Sequence, residues 1–255
     1  MTYSLTMRLI NLLKKFFSTA SQAPHPLIIA NNQQFKPGTD YPHLLQDYEF
    51  VVFDTELTGF SSKRDEIIAI GAVKIRNLQI ICGETFYALV RPDARFQTTS
   101  TLVHRLTPQE LHQAPIMAEV LPQFLDFCGD AFLVGHFVRL DLEFLNRATQ
   151  KLMGGVVSTP YLDTMCLAMA YNDIRQGSYC DQYNRQGAYN LASLSKEYGL
   201  PQFAEHNALQ DSLQTAYLFM YLVKKIRLHG VRKIGERRVG KECLRLCRSR
   251  WSPYH

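Results

Sequence analysis

Three short stretches place residues that could do chemistry at positions where chains tend to build sites. In the first, Asp54-Thr55-Glu56 closes the apolar run Phe50-Val51-Val52-Phe53. Side chains in a strand alternate, so Asp54 and Glu56 point to the same side. Two adjacent carboxylates repel each other unless a cation lies between them. At a strand end before a Gly59 turn they suit a hard metal ion. In the second stretch, Leu133-Val134 ends an apolar run, Gly135 lets the backbone turn, and Asp141 enters the next helix. Strand ends are where sites gather on open α/β sheets. Glu143 lies two residues on, about 200° round the helix axis from Asp141, and is expected to face solvent. The third stretch is His206-Asn207-Ala208-Leu209-Gln210-Asp211. Its end residues are about 140° apart on a helix, so they converge only if His206 precedes it. Asn207 as N-cap, with Gln210 three residues later, fits a capping box. His206 is then on the entry loop and Asp211 on the second turn.

Each stretch alone is commonplace. Together, four carboxylates and one loop histidine meet the needs of two-metal phosphodiester hydrolysis. Two Mg²⁺ ions about 3.5–4 Å apart require several bridging and terminal oxygens. A neutral imidazole suits the role of base near neutral pH.

The elements that must position these groups follow from local pattern. Phe50–Phe53, Glu66–Ile75 and Ile80–Val90 read as strands. Turns at Gly59 to Ser62 and at Asn77 join them, so they should form an antiparallel meander. Thr107 caps a short helix with Pro108 at its first position and Glu110 early in the turn. A helix over Ile116–Phe127, a strand over Ala131–Val134 and a helix over Leu140–Leu152 come next. A short strand at Tyr161-Leu162, a helix over Thr164–Tyr171 and a polar loop over 173–187 follow. Helices over Leu191–Tyr198 and Asn207–Arg227 close the series. The expected fold is a mixed α/β sheet flanked by helices, three antiparallel strands followed by parallel ones.

Outside this body, residues 1–20 read as a short basic amphipathic helix. It is expected to dock on its own domain or a partner, with membrane-surface attachment as the alternative. The run is too short and interrupted to span a membrane. Residues 21–47 contain Pro24, Pro26, Pro37, Gly38 and Pro42 and read as a linker. The domain proper is expected over 48–228. The net charge of +5 is concentrated beyond Val231, where eight Lys/Arg face two Glu; residues 1–230 carry 20 basic against 21 acidic side chains. Global charge is therefore no argument for nucleic-acid binding by the body. Residues 229–255 are expected to be non-native or disordered, the rival reading being a basic nucleic-acid-binding tail. No C-x-x-C pair is present among the six cysteines, and Cys82, Cys128 and Cys166 sit in apolar runs that suit buried free thiols. With no secretory signal visible, a reducing cytoplasm is expected.

In order along the chain, these residues resemble the DEDDh exonucleases of the ribonuclease H-like fold, the group that includes the proofreading epsilon subunit of bacterial DNA polymerase III. The resemblance covers roughly 48–226. The motif D-x-E-T-x-G is matched by Asp54-Thr55-Glu56-Leu57-Thr58-Gly59. G-H-N-x-x-F-D is matched by Gly135-His136-Phe137-Val138-Arg139-Leu140-Asp141, and H-x-A-x-x-D by His206 to Asp211. The stretches Ile67–Val73, His104 to Thr107 and Leu162 to Thr164 agree. The resemblance implies that Asp54, Glu56, Asp141 and Asp211 hold two Mg²⁺ ions, which Mn²⁺ can replace, and that His206 is the general base. Asp163 is read as an N-cap, His136 as a packing and hydrogen-bonding residue, and His104 as a turn cap or a group near the substrate end. Leu57, Phe137 and Leu140 depart from the pattern, at threonine, asparagine and phenylalanine positions; none removes a ligand or the base.

The implied activity is release of nucleoside 5′-monophosphates from a nucleic-acid 3′ end. Single-stranded or frayed DNA is the expected substrate, in proofreading or repair. RNA is the alternative, because no motif reads the 2′-OH. A non-catalytic binding module on the same scaffold is the rival class. Proofreading would need a polymerase partner, for which the N-terminal helix is the candidate docking element.

Overall fold

The computed structural model describes residues 23–36, 41–93, 106–176, 189–204, 206–230 and 232, with the backbone of 237–238 and 241–242. Strands β1 (Phe50–Leu57), β2 (Ile67–Arg76) and β3 (Gln79–Leu89) form an antiparallel meander. A two-residue turn links β2 to β3 with Asn77 and Leu78 both at positive φ, the geometry that matches strand twist in tight hairpins. Strands β4 (Phe132–Gly135) and β5 (Tyr161–Asp163) add in parallel on the other side of β1, giving the order β3-β2-β1-β4-β5. The mixed sheet expected from the sequence is thus the observed one.

Helices cover both faces, because β1 is apolar on both sides. Phe50 and Val52 pack into one core with Leu167 and Tyr171 of α5 (Thr164–Gln176), Leu194 of α6 (Leu191–Glu197), and Leu218, Phe219 and Leu222 of α7 (Ala208–Leu228). Val51 and Phe53 point the other way. They meet Val120, Leu121 and Phe124 of α3 (Met117–Cys128) and Leu142 and Leu145 of α4 (Arg139–Met153). A short α2 (Pro108–Gln113) starts as expected, with Thr107 and Glu110 forming a reciprocal capping box.

The structure departs from the sequence expectations in several places. The stretch read as linker contains α1 (Pro26–Gln34), whose Ile28 is fully buried in the second core. Pro26 starts this helix rather than breaking it, since its missing N–H is not needed in the first turn. Asn31 bonds Thr159 (2.6 Å) and Ser158 N–H (2.8 Å), and His25 N–H donates to Met153 O (2.8 Å). Residues 173–176, expected to open a polar loop, belong instead to α5, which runs to Gln176; Arg175 there pairs with Glu197 at 3.5 Å. Within the basic tail, the Arg232 carbonyl accepts from Leu45 N–H (3.0 Å), and β6 (Arg237–Arg238) pairs with β7 (Lys241–Glu242). Cys128 is buried, but Cys82 and Cys166 are exposed, on the edge strand β3 and the first turn of α5. The expected helix over 1–20 lies outside the described residues. Among them, no helix is long and apolar enough to cross a membrane.

Candidate active site

Asp54 and Glu56 continue the row that buries Phe50 and Val52 beneath α7. Asp211, in the first turn of α7 rather than the second, comes down onto that row. One carboxylate oxygen from each of Asp54, Glu56 and Asp211 lies within 4.8 Å of the others. Gly71 makes this approach possible. It stands opposite Asp54 in the β1–β2 register, and a Cβ there would lie 2.2 Å from the backbone of Ala208 and Leu209. The Ser212 hydroxyl fastens the contact, within reach of both Gly71 O (2.8 Å) and Ala208 O (2.6 Å).

Asp141 arrives from α4, on the opposite layer. Thr55 alternates with its two acidic neighbours and faces that layer. Its N–H (3.1 Å) and hydroxyl (2.5 Å) both donate to Asp141 Oδ1. The fourth carboxylate is therefore held at the acidic end of β1, near enough to Asp54 to act on it. The electrostatics show the crowding. Asp54 is pushed well above the usual carboxylate range, by burial first and then by Asp141, Asp211 and Glu56. Burial raises Asp141 to about 7 despite its Thr55 hydrogen bonds. Burial and then Glu56 raise Asp211 to about 6. Hard oxygen donors that repel one another in a partly dry site fit a divalent cation, whose charge would offset the repulsion.

His206 precedes α7, as its spacing requires, in a left-handed conformation with φ +64 and an exposed side chain. Asn207 is the N-cap; its Oδ1 accepts from Gln210 N–H at 3.1 Å. The N–H groups of His206 (3.0 Å) and Asn207 (3.3 Å) both donate to Asp211 Oδ2. The histidine loop is thereby tied to one of the four carboxylates.

The remaining sequence candidates separate clearly. Glu143 is not solvent-facing: it is half-buried and accepts from the Ser62 hydroxyl, clipping the β1–β2 turn to α4. Asp163 is a buried cap of α5, accepting from Met165 N–H (2.9 Å), and it also accepts from Phe137 N–H (3.2 Å). His136 Nδ1 bonds the Thr164 hydroxyl at 2.8 Å. Leu57 is buried in the α4-side core and Leu140 packs against it, so both departures are absorbed by packing. His104 lies outside the described residues. Tyr87 is a residue that the sequence reading missed. It is opposite Gly71, in the same cross-strand row as Asp54, and so shares its face. Burial raises the Tyr87 phenol, with the nearby Glu56 carboxylate adding to the effect and the Asn207 side chain opposing it.

Comparison with known proteins is consistent with this geometry. A family profile described as Exonuclease (RNase T) matches residues 51–219. The DNA polymerase III PolC-type protein of Thermotoga maritima is 34% identical over 190 residues, covering 74% of this chain and 13% of that one. A DNA polymerase III subunit epsilon-like protein of Rhodobacter capsulatus is 36% identical over 194 residues, 75% of this chain and 26% of that one. The chain thus spans a minor part of these relatives. Among solved structures, E. coli exonuclease I in complex with an oligonucleotide superposes with a TM-score of 0.59 at 18% identity. That match covers 71% of this chain and 42% of the other. A 3′-exonuclease described by its recognition of the histone mRNA stem-loop gives 0.58 at 15% identity, over 80% and 72% of the two chains. Both are likenesses of fold.

Proposed function

The chain belongs to the RNase T exonuclease family, and from that premise we propose that it hydrolyses phosphodiester bonds at DNA 3′ ends, releasing nucleoside 5′-monophosphates. The observation that carries this reading is the convergence of Asp54, Glu56 and Asp211 within 4.8 Å, with Asp141 fixed beside them by Thr55. These four carboxylates would hold two Mg²⁺ ions, or Mn²⁺ in their place. Bound divalent ions supply positive charge that polarises the phosphodiester and makes the attacking water more acidic. His206 takes the proton of that water as its oxygen bonds to phosphorus. The bond from phosphorus to the 3′ oxygen breaks, and that oxygen gains a proton from solvent. Exposure on a loop lets His206 meet substrate, and its backbone tie to Asp211 keeps the loop next to that carboxylate.

Proofreading or repair of DNA is supported by the relatives named as DNA polymerase III proteins. In that setting residues 1–20 would dock on a polymerase, and deleting them should abolish that association; unchanged partner binding would sink this part of the proposal. A cytoplasmic setting belongs to the same reading.

The direct test follows mononucleotide release from 3′-labelled DNA and RNA of one sequence, single- and double-stranded, with Mg²⁺ or Mn²⁺. Wild type should act on DNA, and Asp54→Ala should lose activity by a factor of about 10²–10³, the scale of a lost catalytic electrostatic group. His206→Ala should lose most turnover yet still bind metal. Equal, metal-independent release by wild type and Asp54→Ala would rule out the mechanism, and faster release from RNA would reassign the substrate.

A further inference from the structure

Phe137 stands two residues beyond the end of β4 and four before Asp141, on the strand-end side of the sheet. Its backbone is left-handed, with φ +54. That conformation suits Gly or Asn and is unfavourable for a bulky side chain. Little burial offsets it, because the side chain is 45% exposed and its ring meets only the edge of His136 at 4.7 Å among the aromatic contacts of the described residues. The conformation is nevertheless held firmly. Phe137 N–H donates to the buried Asp163, the same carboxylate that caps α5. On the N-terminal side Gly135 is pressed so closely by Val138 that a Cβ would approach its side chain to 2.5 Å. A strained conformation kept by its surroundings, and located at a site, points to function.

We propose that Phe137 is a stacking platform for a nucleobase of the bound strand, a substrate-binding residue outside the carboxylate and histidine set. The inference rests on the exonuclease reading above. An exposed ring on a held backbone, in the loop that leads from β4 to Asp141, offers a flat apolar surface at little entropic cost. Stacking accepts every base, because each has a π-face. That suits an enzyme that shortens a strand one nucleotide at a time regardless of sequence. The ring contributes to holding the strand and takes no part in proton transfer.

The experiment measures equilibrium binding of a fluorescein-labelled single strand with Mg²⁺, using the full chain in the Asp54→Ala background so that the strand is not consumed. Phe137→Asn should weaken binding roughly tenfold, the scale of one base–aromatic stack, while Phe137→Tyr restores it. On a strand whose four 3′-terminal nucleotides are abasic, all three proteins should bind alike. Phe137→Asn should also melt no lower than its parent, since Asn relieves the left-handed strain. Undiminished binding by Phe137→Asn overturns the proposal. So does an equal loss on the abasic strand, a loss that Tyr fails to restore, or a parent that binds neither strand. In otherwise wild-type protein the change should fall on KM more than on kcat. Absence of mononucleotide release by wild type would overturn the exonuclease reading itself, while the binding measurement would still decide the stacking.

Discussion

His136 lies in the loop that delivers Asp141, yet its contacts are those of a core residue. The Thr164 hydroxyl has one proton and directs it to Gly135 O (3.2 Å), so its oxygen accepts from His136 Nδ1. This favours the neutral tautomer with the proton on Nδ1, and Nε2 is buried. Burial lowers the imidazole to about 4, with the backbone of Tyr189 working against that shift. An exposed histidine titrates near 6.5, so the unfolded chain takes up its proton first as pH falls. The His136 contribution is complete above about pH 6.5 and is lost toward pH 4. At pH 5 the loss should be about 2 kcal/mol. Chemical denaturation of wild type and His136→Gln at pH 7 and pH 5 isolates it, because the other titrating groups are common to both. The stability difference between the two proteins should shift against wild type as pH falls; a constant difference would show that His136 does not stay neutral in the fold.

At the scale of elements, the site depends on how closely α7 approaches the sheet. The Gly71 contact is with backbone atoms of Ala208 and Leu209, which cannot rotate away. Gly71→Ala should lift the start of α7 and take Asp211 and the His206 loop away from Asp54. Overpacking of this kind costs about 1–3 kcal/mol, and activity should fall at least about 100-fold, since misplacement by an ångström is sufficient for that. Turnover and denaturation of the one variant test both; wild-type turnover would show that the helix does not need this seat. This contact also marks the limit of what the sequence discloses. Local pattern reveals the strands, the Thr107 and Asn207 caps and the acidic pair on one face of β1, because each depends on neighbouring residues. Asp141 could be placed at a strand end, but not in the grip of Thr55, a contact between residues 86 apart. Tyr87 was hidden by an irregularity. Counting back from the Asn77-Leu78 turn pairs Gly71 with Glu84, but the register shifts at Val73/Lys74 and brings Tyr87 there instead. Helix α1 was obscured because Pro26, read as a breaker, occupies the one helical position that favours it.

For the whole molecule, the question is what folding does to four carboxylates. The body from 1 to 230 is almost electrically balanced, with 20 basic and 21 acidic side chains. No general excess of negative charge therefore attracts cations to it; the demand is local and is created when α4 and α7 close on β1. In the unfolded chain, Asp54, Asp141 and Asp211 are far apart in sequence and each is solvated. A divalent cation then has a strong site only on the folded protein, and binding must stabilise the fold by mass action. At one hundred times its dissociation constant the gain is about 2.7 kcal/mol. For a domain of this size that corresponds to a rise in melting temperature of about 5–10 °C. Mg²⁺ and Mn²⁺ should each raise the melting temperature in a concentration-dependent way, whereas Na⁺ at equal ionic strength should not. Asp211→Ala should abolish most of the rise, since it removes one of the three converging oxygens. His206→Ala should keep it, because the imidazole is on the loop and not among those oxygens. A rise that survives in Asp211→Ala would place the cation elsewhere on the protein. A rise lost in His206→Ala would make the histidine a ligand and leave the proton of the attacking water without its proposed acceptor.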